Sequence, residues 1–233
     1  MPVADDIIVA MEDVTVETRP PYETGLAGAS LVLRAGALAM VYIPEGFAYT
    51  PLADMVQGLV EPDAGVVRYR GEDWHAMDPA RAAAQRGTIG RVFDQRGWIS
   101  NLDVDENITL ASRHHTLRPL PEIQQEALAL AQSFGLPELP RRRPALLRRA
   151  DLRRCEWVRA LIGTPSLVVL EHPTRDVFAE AIPKLVAAVR AARARGAAVM
   201  WITGDRACRA VADEAGVERY EFRELKLVPL QGE

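Results

Sequence analysis

Three short apolar runs decide what this chain can fold into. Residues 37–43 (ALAMVYI), 167–170 (LVVL) and 198–203 (AVMWIT) lack the apolar–polar alternation of a half-exposed strand. That is the pattern of strands covered on both faces of a sheet. Helical periodicity separates them. Residues 51–59 read as a helix with Pro51 at its first position, and 78–85 as a short one capped by Asp78. Apolar residues recur at three- and four-residue spacing over 103–112, 122–134 and 150–162, and Gly135 marks a stop. Helices are also predicted over 178–195, ended by Gly196, and over 206–215. Strand–helix–strand order at this spacing implies parallel strands with covering helices.

The flanks differ from this centre. Residues 7–16 and 30–33 are β-rich runs parted by a turn-forming stretch, 19–28, and 66–70 is a further strand. Two short strands are predicted within 217–230, and the proline- and arginine-rich PELPRRRPALLRR reads as a loop. The expected fold is therefore α/β, with a β-rich N-terminal part, a mostly parallel core sheet and a helical insert at about 100–160. At 233 residues, without repeat or linker, the chain is read as one domain spanning 1–233.

Composition excludes several classes. Hydrophobic residues make up 48% and charged residues 26%, too apolar for disorder. A net charge of −4 argues against a nucleic-acid-coating protein. The run 37–43 is far short of the ~20 residues that span a bilayer. The start, MPVADDIIVAMEDV, is acidic where a signal peptide is basic, so a cytosolic location is expected. Cys155 and Cys208 are too few for a disulfide framework and are expected to be buried thiols. Of 28 basic residues only Lys184 and Lys226 are lysine.

Five blocks carry a resemblance. LVLRAGALAMVYIPEG, GLVEPDAGVVRYRGED, IGRVFDQRGWISNLDVDENI, WVRALIGTPSLVVLEHPT and GAAVMWITGD stand in the order and spacing of the nucleotide-binding domain of an ABC transporter. The chain resembles that P-loop NTPase-like domain over almost its whole length. The resemblance implies a RecA-like core at about 1–95 and 163–233 and a helical subdomain at about 96–162.

Inside those blocks the family's chemistry is altered. A phosphate loop, G-x-x-x-x-G-K-[ST], cradles phosphate with backbone amides, neutralises it with lysine and binds Mg²⁺ through the hydroxyl. Here Ile43 and Ala48 stand at the two glycines and Tyr49 at the lysine, while the inner Gly46 and Thr50 remain. Glu45 adds a carboxylate, and two like charges ~4 Å apart repel by about 4 kcal/mol at intermediate dielectric. The reading is a decayed phosphate loop, with no lysine before Lys184 to compensate.

Where Walker B ends in aspartate then glutamate, the chain has Glu171 and His172. Glu171 keeps a charge on a longer arm; His172 is either a general base, since imidazole titrates near neutrality, or a polar filler. Gly204 replaces the switch histidine, and Asp94 stands at the Q-loop glutamine, with Gln95 beside it in case of a one-residue slip. Thr18 takes the adenine-stacking position, and Tyr22 is a weak substitute. The signature loop is matched by Leu147, Arg148, Arg149, Ala150 and Asp151. Arg148 and Arg149 either reach a partner's nucleotide as arginine fingers or belong to the basic surface of seven arginines between 141 and 154. Trp98 and Ile99 follow the Q-loop and suit contact with a permease, with core packing the alternative for Trp98. His114 and His115, expected beyond the helix 103–112, read as a surface or interface pair.

The resemblance thus implies a catalytically inactive subunit, with ATP and Mg²⁺ not expected as cofactors and Glu171, His172, Gly204, Gly46, Ala48, Tyr49, Thr50 and Asp94 vestigial. Its partners would be transmembrane permease subunits and an active ATP-binding subunit or a second copy of itself, with no nucleic acid. It would sit on the cytoplasmic face of the inner membrane. GEDWHAMDPAR and ITLASRHHTLRPLPE look most like MCE/Mla-type phospholipid transporter subunits, suggesting lipid cargo. The alternatives are an active ATPase with rebuilt chemistry and His172 as base, or a soluble regulator detached from any permease.

Overall fold

A computed structural model describes residues 6–44, 49–94, 97–205 and 216–230. Its centre is a six-stranded sheet in the order β10-β9-β3-β8-β7-β6. The three apolar runs form β3 (Leu38–Tyr42), β7 (Leu167–Glu171) and β8 (Ala198–Thr203) at its middle. β6 (Ile89–Val92) and β9 (Val217–Arg223) flank them in parallel, and β10 (Lys226–Pro229) closes one edge antiparallel to β9. Successive strand side chains point to opposite faces, so each run feeds two cores. Ala39, Val41, Val169, Met200 and Ile202 enter one apolar cluster; Leu38, Met40, Leu170, Val199 and Trp201 enter the other. Each fully buried aliphatic side chain contributes about 1.5–3 kcal/mol, which is why these strands tolerate no polar alternation.

The first cluster is roofed by a four-stranded antiparallel sheet, β2-β1-β4-β5, and by α1 (Leu52–Val56). Its strands are β1 (Ile7–Val16), β2 (Leu26–Arg34), β4 (Ala64–Tyr69) and β5 (Glu72–Asp73). On the other side α3 (Val104–His115), α4 (Leu120–Ser133), α5 (Arg149–Leu161) and α6 (Ile182–Ala194) bury Ile108, Ile123, Phe134, Trp157 and Leu185. Phe134 meets Trp157 edge-on at 5.3 Å, and the Trp157 indole donates to the Pro173 carbonyl at 2.9 Å. α2 (Pro79–Arg86) is capped by Asp78, which accepts from the Ala80 and Arg81 amides.

Several expectations are corrected. β2 starts at Leu26, inside the stretch read as a turn, because Gly28 takes a left-handed φ of 59° within the strand and its amide finds Thr15 Oγ1 at 3.1 Å. β5 and β6 were not expected. His114 and His115 belong to the last turn of α3 rather than to a following segment, and the His115 ring lies where a Cβ on Gly87 would fall. The helix predicted from 178 begins at Ile182, after a 3₁₀ turn at Ala179–Ala181, with Pro183 in its first turn. The loop before α5 contains a further 3₁₀ turn, Pro144–Leu146. Cys155 is buried, as expected of a free thiol; Cys208 and the helix 206–215 lie outside the described residues. Among the described residues no helix is long and apolar enough to cross a membrane.

Candidate functional site

Parallel α/β sheets gather ligands at the carboxyl ends of their strands, where Glu171 ends β7, His172 follows it, Gly204 follows β8 and Asp94 follows β6. Gly46, Ala48, Glu45 and Gln95 lie outside the described residues. Tyr49 and Thr50 lead into α1, and Thr50 is buried. The Tyr49 ring stacks on Tyr22, with centroids 5.6 Å apart and planes 17° from parallel. Its carbonyl accepts from the Glu23 amide at 2.9 Å. Tyr22 in turn donates its hydroxyl to Asp54 Oδ2 at 2.8 Å. Burial, then this bond to a carboxylate, raises its pKa above the ordinary phenol value.

Asp54, on α1, opens the central feature of the site. From β6, the side chain of Arg91 crosses to both neighbours. Its Nε donates to Glu171 Oε1 at 2.6 Å, and its Nη1 donates to Asp54 Oδ1 at 2.5 Å and to Gln57 Oε1 at 2.6 Å. The guanidinium also lies 4.4 Å from the Phe93 ring centroid. Arg91, Glu171 and Gln57 are all buried. Burial works against charge on Arg91, but Glu171 and Asp54 outweigh it and hold the guanidinium protonated. Glu171 is pushed above the usual carboxylate range by burial, with Arg91 opposing that rise. No lysine precedes Lys184, but an arginine supplies a cation here, and two carboxylates already hold it.

His172 and Asp94 sit beside this network. His172 adopts a left-handed φ of 43°, donates its amide to the Ile202 carbonyl at 2.8 Å, and has a buried Nε2 without a hydrogen-bond partner among the described residues. Burial first, then the charge of Arg175, lowers its pKa, so the imidazole is held neutral. Asp94 is buried and pairs through Oδ1 with Arg175, while its Oδ2 has no hydrogen-bond partner among the described residues. Gly204, at the end of β8, is exposed, and a Cβ there would stand 3.1 Å from the Ile43 carbonyl oxygen. Any side chain at 204 would crowd the backbone that leaves β3.

The segment joining β6 to α3 is tied to α5. Arg153 Nη1 donates to the Phe93 carbonyl at 2.8 Å and forms an ion pair with Glu156 Oε2 at 2.7 Å. Arg159 donates to the Gly97 carbonyl and lies 4.6 Å from the Trp98 ring centroid. Trp98 is thus half-buried against the helical core, while Ile99 beside it is exposed. Arg148 caps α5 and Arg149 opens it; both are exposed, and neither guanidinium has an ion pair among the described residues. They stand apart from the Arg91 network.

Sequence reading missed Arg91, Asp54, Gln57, Arg175 and Arg153. One signal was present for Arg91: a charge inside the apolar run IGRVF, since arginine is almost never buried unless paired.

The six-stranded sheet, roofing antiparallel sheet and helical layer define the P-loop nucleotide-binding fold of ATP-binding cassettes. At a TM-score of 0.81 and 20% identity, the structure overlays the dimeric, post-hydrolysis ATP-binding cassette MJ0796, covering 97% of this chain and all of that one. Residues 26–175 match the ABC transporter family, and the chain belongs to it. It is 32% identical over 180 residues to the lipoprotein-releasing system ATP-binding protein LolD of Maricaulis maris, covering 76% of this chain and 78% of that protein. It is 31% identical to LolD 1 of Rhodopirellula baltica, over 65% of this chain and 66% of that protein. It is 25% identical to the intermembrane phospholipid transport system ATP-binding protein MlaF of Escherichia coli, over 62% of this chain and 54% of that protein.

Proposed function

We propose that this chain is the cassette subunit of an ABC transporter that does not turn over ATP at the site its own phosphate loop would form. The observation that carries this reading is the Arg91 guanidinium bonded to both Glu171 and Asp54. A Mg²⁺ ion held through the Walker B carboxylate does not fit this arrangement, because Arg91 already stands against Glu171 as its cation, with Oε1 accepting from the guanidinium. Tyr49 stacked on Tyr22 in place of a lysine, and Gly204 without a side chain, support the same reading. ATP and Mg²⁺ are accordingly not expected as its cofactors.

In this reading the chain is a structural or regulatory half. It pairs with an active ATP-binding subunit or with a second copy, beneath transmembrane permease subunits on the cytoplasmic face of the inner membrane. Trp98 and Ile99 would meet the permease, and the exposed Arg148 and Arg149 would face the partner's nucleotide. Relatives named for lipoprotein release and intermembrane phospholipid transport support a lipid cargo. Relatives named for ribose and for molybdate or tungstate import lie in the same range of identity, so the cargo is tested separately.

Titration of the purified chain with labelled ATP and Mg²⁺ tests the reading: binding weaker than millimolar and no phosphate release are expected. The competing reading, an ATPase with His172 as base, draws on the neutral imidazole. Micromolar binding with turnover lost in His172→Ala would establish it instead. Co-purification in mild detergent is expected to bring down a permease subunit. Lipid in that complex, identified by mass spectrometry, would support the cargo, and its absence would remove it.

A further inference from the structure

The oxygens around Arg91 have the composition of a cation site. Two carboxylates, from α1 and the end of β7, and one amide oxygen, from Gln57 just beyond α1, converge on a single guanidinium within 2.5–2.6 Å. Tyr22 satisfies the second oxygen of Asp54. Hard divalent ions such as Mg²⁺, Mn²⁺ and Ca²⁺ take oxygen sets of this kind. The charges do not cancel: one guanidinium faces two carboxylates.

We infer that Arg91 is the resident cation of a latent divalent-metal site formed by Asp54, Glu171 and Gln57, and that its side chain keeps that site closed to metal. The guanidinium does structurally what an ion would do. It links α1, β6 and β7 with no ligand to be recruited from solution. Removing it leaves the buried Glu171 carboxylate and the part-buried Asp54 carboxylate without their shared cation, an arrangement that is destabilising unless another cation replaces the one removed. The inference concerns metal occupancy and folded stability, so it does not rest on the transporter reading and can fail while that reading stands.

The test uses the full-length chain stripped of metal, with Mn²⁺ alone as probe. Wild type is expected to show no saturable Mn²⁺ binding by electron paramagnetic resonance and no change in Tm with Mn²⁺. Arg91→Ala is expected to lose about 10 °C in Tm, to bind one equivalent of Mn²⁺ and to recover much of that loss when saturated. Adding Glu171→Ala to Arg91→Ala should abolish the binding, which places the ion. If Arg91→Ala does not fold in chelator, refolding with and without Mn²⁺ reads the same property: recovery only with Mn²⁺ supports the inference, and equal failure in both overturns it. It is also overturned if wild type binds Mn²⁺ in a way that Glu171→Ala removes. The same holds if Arg91→Ala is as stable as wild type, or is destabilised without binding metal.

Discussion

His172 holds a conformation that side chains seldom adopt, φ 43° at the end of a buried strand, and such positions cost of order 1–3 kcal/mol unless their surroundings fix them. Its imidazole is kept neutral by burial and by Arg175, against the pull of Asp94, with Arg153 adding to the depression. A depressed histidine has a definite linkage sign. The unfolded chain takes up a proton near the ordinary value of 6.5 and the folded chain does not, so stability is fully present above that pH and is lost as pH falls below it. His172→Asn keeps a residue tolerant of positive φ and removes the titration. Urea unfolding of the two proteins between pH 7.5 and 5 should give a shallower fall for the variant, and parallel curves would refute the linkage. Because the comparison is a difference, the raised carboxyls of Glu171, Glu156 and Asp105 cancel from it. None of this was legible in the sequence beyond the bare substitution at the glutamate position. For Arg91 only its place inside an apolar run was legible; the carboxylates that hold it lie 37 and 80 residues away, and no local pattern connects them.

Among elements, the legible ones were those whose own sequence fixes them. β8 follows its apolar run residue for residue, and α2 starts where Asp78 and Pro79 say it should. β6 escaped because its burial is not its own doing. It has four residues, one of them Gly90, where a Cβ would fall 1.8 Å from the Ala160 carbonyl oxygen of α5. The packed helix explains the glycine, and the carboxylates of Asp54 and Glu171 explain the arginine beside it. Two contacts make the connection from β6 to α3 rigid, and each can be tested. Arg153→Met takes one of the cations from buried Glu156 and the donor from the Phe93 carbonyl, and should cost about 3 kcal/mol, with hydrogen exchange at Phe93 and Asp94 rising before the rest of the sheet. Asn107, buried on α3, accepts from the Ile99 amide at 2.9 Å and donates to the carbonyls of Ile99, Leu102 and Asp103 at 3.1, 3.2 and 3.0 Å. Asn107→Ala should cost about 2 kcal/mol, a fall in Tm of about 4–8 °C for a domain of this size. A loss under 1 °C by calorimetry would show that water replaces the amide.

Over the whole molecule the central sheet belongs to both apolar clusters at once, so neither can unfold and leave the other intact. Trp74 reports on one cluster and Trp157 and Trp201 on the other, and their fluorescence changes in urea should coincide with the loss of circular dichroism. That single transition makes nucleotide linkage a clean measurement. A ligand bound only by the folded chain adds RT ln(1 + [L]/Kd) to stability. A cassette with micromolar affinity would gain about 4 kcal/mol at millimolar Mg·ATP, which is more than about 8 °C in Tm. With Arg91 holding Glu171 and Asp54 from within, and Tyr49 stacked on Tyr22, affinity no better than millimolar is expected. At a concentration equal to Kd the gain is then about 0.4 kcal/mol, or about 1 °C. Differential scanning calorimetry separates these outcomes by nearly an order of magnitude. A rise of several degrees would mean that the triphosphate finds cations elsewhere, and that the inner guanidinium does not govern what the strand ends can hold.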